Sequence, residues 1–136
     1  MRGVASVLLF ALLVSCISAQ SWAYCDGTNP VITLSSFTAK PYPISRGTSV
    51  TYTFVGTCTA PATQFEATFG LFTGDKAIWS ANSQKTVSCN KAGDPFTSTL
   101  TEKIPTYVPP GPYVVKVSSL NNDFAAIVCV SFSVNL

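Results

Sequence analysis

Five cysteines, six carboxylates and no histidine are the residues with chemical reach in this 136-residue chain. Without histidine, neither a Ser/His/Asp nor a Cys/His arrangement can form, so a hydrolytic nucleophile has no base. The carboxylates include no close pair that could divide the roles of acid and base. Asp26 and Asp123 stand beside turn residues, where aspartate is commonplace. Thr73-Gly74-Asp75 carries one glycine and no following Lys-Ser step, which suits a hairpin turn and not a phosphate loop. No cysteine pair has CxxC spacing, so a zinc site is not expected. Asn82-Ser83-Gln84 and Asn90-Lys91-Ala92 both lack the third residue of a glycosylation sequon. These residues point away from an enzyme and imply no metal or cofactor.

The cysteines read as structural once the N-terminus is considered. Arg2, the apolar run from Val4 to Val14 and the small pair Ser18-Ala19 have the form of a secretory signal peptide over residues 1–19. That run is too short for a bilayer span, which needs about 20 apolar residues. Leu13-Val14-Ser15-Cys16 would also suit a lipoprotein signal, but Ser18-Ala19 already supplies an ordinary cleavage site. Removing the leader leaves Cys25, Cys58, Cys89 and Cys129. An even count in a secreted chain implies two disulfides, with three pairings open on sequence alone.

Charge excludes another class of partner. Eight Lys/Arg less Arg2 leaves seven, against six Asp/Glu, all scattered singly, so no basic patch for nucleic acid exists. Only 10% of the chain is charged while 47% is hydrophobic, against a typical charged share of about 25%. Such a chain hides much apolar surface or encloses something apolar.

The 117 residues after the leader (136 less 19) suit one domain, residues 20–136. Helical periodicity is absent. Period-two alternation and β-branched residues recur between turn signals. Seven strands are expected, over 31–38, 49–55, 64–72, 76–80, 97–104, 113–120 and 125–134. The separators include Lys40-Pro41-Tyr42-Pro43, Arg46-Gly47, Ala92-Gly93-Asp94-Pro95, Pro109-Pro110-Gly111-Pro112 and Asn121-Asn122-Asp123. Seven short strands at this spacing predict an all-β, immunoglobulin-like β-sandwich. The Cys…Trp…Cys spacing of true immunoglobulin domains is missing, which favours another sandwich family.

Alternation also assigns faces. Phe65, Ala67, Phe69 and Leu71 share one, with Gln64, Glu66, Thr68 and Gly70 on the other. Ala126, Val128, Val130, Phe132 and Val134 form a second apolar row, and Tyr113, Val115 and Val117 a third. A packed core and a lipid-lined cavity demand the same pattern, since both want apolar inward positions.

Three segments add to this. Trp22-Ala23-Tyr24-Cys25-Asp26-Gly27, Pro41-Tyr42-Pro43-Ile44-Ser45-Arg46-Gly47 and Val108-Pro109-Pro110-Gly111-Pro112-Tyr113 precede a final strand carrying Ile127-Val128-Cys129-Val130. Over about residues 22–136 this order resembles the ML (lipid-recognition) domain. It is nearest the phosphatidylglycerol/phosphatidylinositol transfer and sterol-transfer branch. The resemblance implies Cys25–Cys129 and Cys58–Cys89 bridges and an apolar cavity between the sheets. It places Pro109–Pro112 at the cavity rim. The loop over Pro41–Arg46 lacks the extra cysteine pair of the sterol carriers, which weakens a sterol assignment.

The function so implied is a secreted or endolysosomal carrier, acting as a monomer. It holds a phospholipid, sterol or fatty acid and transfers it through transient contact with membrane surfaces. Phe54, Phe69, Leu71, Trp79, Val115, Val117, Val130 and Phe132 are the expected lipid contacts. Lys40, Arg46, Lys103 and Tyr107 are candidates for the head group. The other class is a secreted immunoglobulin-like binding or adhesion module with a solid core.

Overall fold

The computed structural model describes residues 21–25 and 30–136, with the side chains of Phe65 and Lys85 excepted. The leader over 1–19, Cys16, Asp26 and the placement of the Phe65 side chain lie outside the described residues. Eight strands follow one another: β1 (Ala23–Tyr24), β2 (Ile32–Lys40), β3 (Ser49–Cys58), β4 (Ala62–Thr73), β5 (Lys76–Cys89), β6 (Pro95–Lys103), β7 (Pro112–Leu120) and β8 (Ala126–Asn135). All seven expected strands are present, and the two-residue β1 is added.

Every pairing is antiparallel. One sheet has the order β1-β8-β7-β4-β5 and the other β2-β3-β6. The two pack face to face, and side chains alternate between the buried interior and solvent as period two requires. In β3, Val50, Tyr52 and Phe54 are each at most 1% exposed, while the intervening Thr51, Thr53 and Val55 are half-buried.

The largest departure from the sequence reading is β5, which runs fourteen residues to Cys89 and not five to Ser80. Its second half, Ala81 to Ser88, is mostly polar and carries no apolar alternation. The ladder to β4 sustains it. An edge strand with one paired neighbour tolerates polar residues because neither face must be fully buried.

Two bulges redirect side chains. In β2 the register shifts between Leu34 and Ser36 opposite Gly56 and Val55. There the Leu34 N–H donates to the Tyr24 phenol oxygen at 2.9 Å, tying β1 to the opposite sheet. Gly56 is required at this crossing, since a Cβ on it would lie 2.3 Å from the Thr33 carbonyl oxygen. In β4 the register shifts between Gln64 and Glu66. That shift turns Gln64 inward, so it is fully buried and not on the outer face as strict alternation predicts.

Two disulfides fasten the sandwich, pairing Cys25 with Cys129 and Cys58 with Cys89. The first anchors the segment of β1 to β8. The second joins the end of β3 in the small sheet to the end of β5 in the large one.

Non-reducing peptide mapping is expected to recover these two pairs. Replacing the Cys25–Cys129 pair by serines should cost about 5 kcal/mol and the Cys58–Cys89 pair about 4 kcal/mol on loop-closure entropy, read by denaturant titration. Gly56→Ala should cost about 3 kcal/mol, because the obstructing atom is backbone and cannot step aside.

Candidate functional site

The interior faces of the two sheets form the candidate site. Ladder register sets its rows. Trp79, Leu71, Val115 and Phe132 lie side by side across β5, β4, β7 and β8. Ala81, Phe69, Val117 and Val130 form the next row. Seven of the eight residues expected to meet lipid therefore sit in two adjacent rows of the large sheet. Phe54 faces them from β3 in the small sheet. Among the eight, Phe69, Leu71, Val115, Val117 and Val130 are fully buried, and Phe54 and Phe132 nearly so. Trp79 is half-buried.

The small sheet contributes more than the sequence reading assigned to it. Phe37 lies 5.0 Å from Phe54 and 5.6 Å from Phe132, measured between ring centroids. Tyr52 lies 5.2 Å from Phe69 and 6.2 Å from Phe132. Phe69 in turn meets Trp79 edge-on at 5.5 Å. These rings join the sheets through the middle of the sandwich. The alternation Val50-Tyr52-Phe54 in β3 was the available signal for Tyr52. Phe37 is displaced from the simple alternation of β2 by the bulge at Ser35.

The flanks of this layer differ. On the β1 side, Trp22 packs on Tyr24 at 5.6 Å and on Phe37 at 6.5 Å, and the Cys25–Cys129 bridge lies beside them. On the β5 side the edge strand β6 of the small sheet approaches β5. Trp79, Ala81, Ser83 and Val87 are nevertheless only half-buried on the inward face of β5. The layer is tied along the β1 flank, beside an open cleft of about 420 Å³ that Trp22, Tyr42 and Phe132 help to line, and half-covered along the β5 flank.

Polar groups inside the layer are few. Glu102 occupies the inward row of β6 opposite Val50, at the edge nearest β5. Burial raises its carboxyl above the ordinary value of 4.5. Burial and, second, the Glu102 carboxylate push the Tyr52 phenol far above its ordinary 10. Tyr52 therefore stays neutral, and its hydroxyl has no partner among the described residues. Toward the Cys58–Cys89 end, the Ser98 hydroxyl donates to Gln64 Oε1 at 2.9 Å across the two sheets.

The head-group candidates separate. Lys40 and Lys103 end β2 and β6 at one pole of the sandwich, and Tyr107 is 77% exposed in the loop after β6. Arg46 does something else. Its Nη1 donates to the Val108 carbonyl at 2.8 Å and the Thr106 carbonyl at 3.4 Å, clasping the β6–β7 loop to the β2–β3 loop. The Pro109–Pro112 segment is held by the Tyr113 hydroxyl, which donates to the Pro109 carbonyl at 2.6 Å. Gly111 and Leu136 also exchange backbone hydrogen bonds at 2.9 Å each. An open cleft of about 370 Å³ lies at this pole, lined by Ile44, Arg46, Thr106 and Leu136 among others.

A family model described as ML domain matches residues 19–136. The chain belongs to the ML domain family. A Dictyostelium discoideum protein provisionally named a phosphatidylglycerol/phosphatidylinositol transfer protein is 25% identical over 96% of this chain and 94% of its own length. Among solved structures, a Niemann-Pick type C2 protein from the Japanese carpenter ant superposes with a TM-score of 0.64. It covers 83% of this chain and 98% of its own, at 15% identity. Chicken MD-1, crystallised with lipid IVa, gives a TM-score of 0.54 over 84% of this chain and 86% of its own, at 14% identity. The ML domain sandwich is thus the fold expected from the sequence, with two sheets of unequal width.

One pH effect follows from Glu102. Its folded pKa is raised, so its charge opposes folding above that value, and the penalty fades as pH falls through it. Glu102→Gln should therefore melt slightly higher than the parent at pH 7. The difference should close as pH drops toward 4.5 and below, followed by thermal melts across that range.

Proposed function

We propose that this protein is a secreted or endolysosomal lipid carrier that takes a phospholipid between its two sheets and moves it between membranes. The observation that carries the reading is the pair of fully apolar rows on the large sheet, in a chain of the ML domain family. Trp79, Leu71, Val115 and Phe132 form one row, and Phe69, Val117 and Val130 the other. The Dictyostelium relative, aligned over nearly the whole of both chains, favours a phospholipid over a sterol. So does the absence of an extra cysteine pair in the loop over 41–46.

The energetics suit exchange. Burying a sixteen-carbon chain removes roughly 12 kcal/mol of hydrophobic cost at about 0.8 kcal/mol per CH₂. A bilayer offers nearly the same gain, so carrier and membrane can trade the ligand close to balance. The chain enters by the loosely covered β5 flank or the adjoining pole, taking the space that the rings of Phe69, Tyr52 and Trp79 now share. Tyr42 and Tyr107, both exposed, stand in the loops beside Lys40 and Lys103. Tyrosine rings with lysines at one pole suit the interface of an anionic membrane, where amphipathic rings settle at head-group depth. The protein binds and releases its ligand unchanged and acts as a monomer.

A second reading, a secreted immunoglobulin-like binding module, draws on the ring contacts that join the sheets. Native mass spectrometry of the protein purified without detergent decides between them. The carrier should show an added mass matching one lipid and should move labelled phosphatidylglycerol between vesicle populations. A ligand-free spectrum without transfer would establish the binding module. Val117→Phe should abolish transfer with little change in melting temperature if the rows part to admit lipid. In a layer that never opens, the same change should cost about 1–3 kcal/mol of stability.

A further inference from the structure

At the Cys58–Cys89 end of the layer, three side chains are polar and essentially inaccessible. Gln64 and Ser119 are 0% exposed and Ser98 is 2% exposed. The Ser98 hydroxyl is used on Gln64 Oε1. Gln64 Nε2 and Ser119 Oγ have no partner among the described residues. Leaving buried donors unmatched is costly, and native proteins match them with protein, water or ligand.

The register puts the two unmatched groups on the same inward face of neighbouring strands, β4 and β7. Ser119 on β7 stands opposite Ala67 on β4. Gln64 is the inward-facing residue just beyond the bulge that precedes Ala67. Ala67, with a single methyl group for a side chain, shares that inward face, so little side-chain bulk stands beside Ser119 on β4. The surrounding inward residues, Phe54, Phe96 and Val128, are apolar and buried. None of them carries charge, so a charged ligand group would find no counter-ion there. An uncharged oxygen would find an amide donor and a hydroxyl.

Resting on the carrier reading above, we infer that Gln64 and Ser119 form a polar subsite that selects lipids bearing an uncharged oxygen within the apolar part of the molecule. The two sources of such an oxygen are an ester carbonyl and a hydroxyl on the acyl chain. The Gln64–Ser98 hydrogen bond, which crosses between the sheets, holds the amide in place. Hydrogen bonds made in a water-free site discriminate strongly, because the analogue lacking the oxygen leaves the site's own groups unmatched.

The test loads delipidated protein from phosphatidylglycerol vesicles that carry matched pairs of lipids in equal amounts, with uptake read by mass spectrometry. One pair is ester-linked against ether-linked phosphatidylglycerol. The other is 12-hydroxystearoyl against stearoyl phosphatidylglycerol. The parent should prefer the oxygen-bearing member of one pair several-fold, and which pair responds identifies the source. Gln64→Leu and Ser119→Ala should each bring that ratio to near unity while still taking up lipid. Either variant suffices if the other fails to fold. Equal uptake in both pairs by the parent, or an unchanged ratio in a folded variant, overturns the subsite and leaves the carrier standing. No uptake of any lipid by the parent overturns the carrier, and the subsite with it.

Discussion

Face-to-face burial of two β-sheets through a small set of aromatic rings is the interaction on which the rest of this molecule depends. Tyr52 on Phe69 and Phe37 on Phe132 are the points where the small sheet meets the large one. Among the described residues no backbone ladder joins the two sheets. What holds them includes these ring contacts, the Ser98–Gln64 hydrogen bond, the Leu34–Tyr24 bond, the Val31 N–H donated to the Ile127 carbonyl at 2.8 Å and the Cys58–Cys89 bridge. Ring contacts are non-directional beside hydrogen-bonded ladders, so the seam between the sheets is the place where the fold can part without breaking secondary structure.

Unequal sheets turn that seam into an asymmetric one. Five strands lie against three, and the two flanks of the layer are closed differently. The β1 side receives two tryptophan-ring contacts, a phenol hydrogen bond and a disulfide. The β5 side receives a bridge only at its far end, so Trp79, Ala81 and Ser83 stay half-covered. The layer therefore has one edge tied by rings and a disulfide and one edge that is only half-covered. Membership of the ML domain family gives this asymmetry a functional sense, and the carrier proposal follows from it.

Electrostatics play a supporting part. With so few charges, the placement of each one matters. Glu102 is an inward-facing acid at the half-covered flank, and its burial raises its pKa. Lys40 and Lys103 are kept to one pole, beside the exposed Tyr42 and Tyr107. Arg46, by contrast, is occupied in joining two loops of that pole and is part of its frame.

The alternation of apolar residues was enough to place seven strands, name the sandwich and put Phe69, Leu71, Val115, Val117, Val130 and Phe132 on inward-facing rows. Period two fixes a strand's faces wherever the ladder is regular, as in β7 and the middle of β4. The order of the cysteine-bearing segments carried the family. The rest depended on partners distant in sequence. The second half of β5 has no pattern of its own and is a strand only because β4 lies beside it. Gln64 is inward only because a bulge breaks parity, and a bulge is set by the neighbouring strand. Arg46 looked free until the loop carrying Val108 closed over it. Local sequence determined which residues are apolar and in what rhythm. The tertiary structure decided which rows meet, which flank stays open and which polar groups are left without partners, because each of these is a relation between strands and not a property of one.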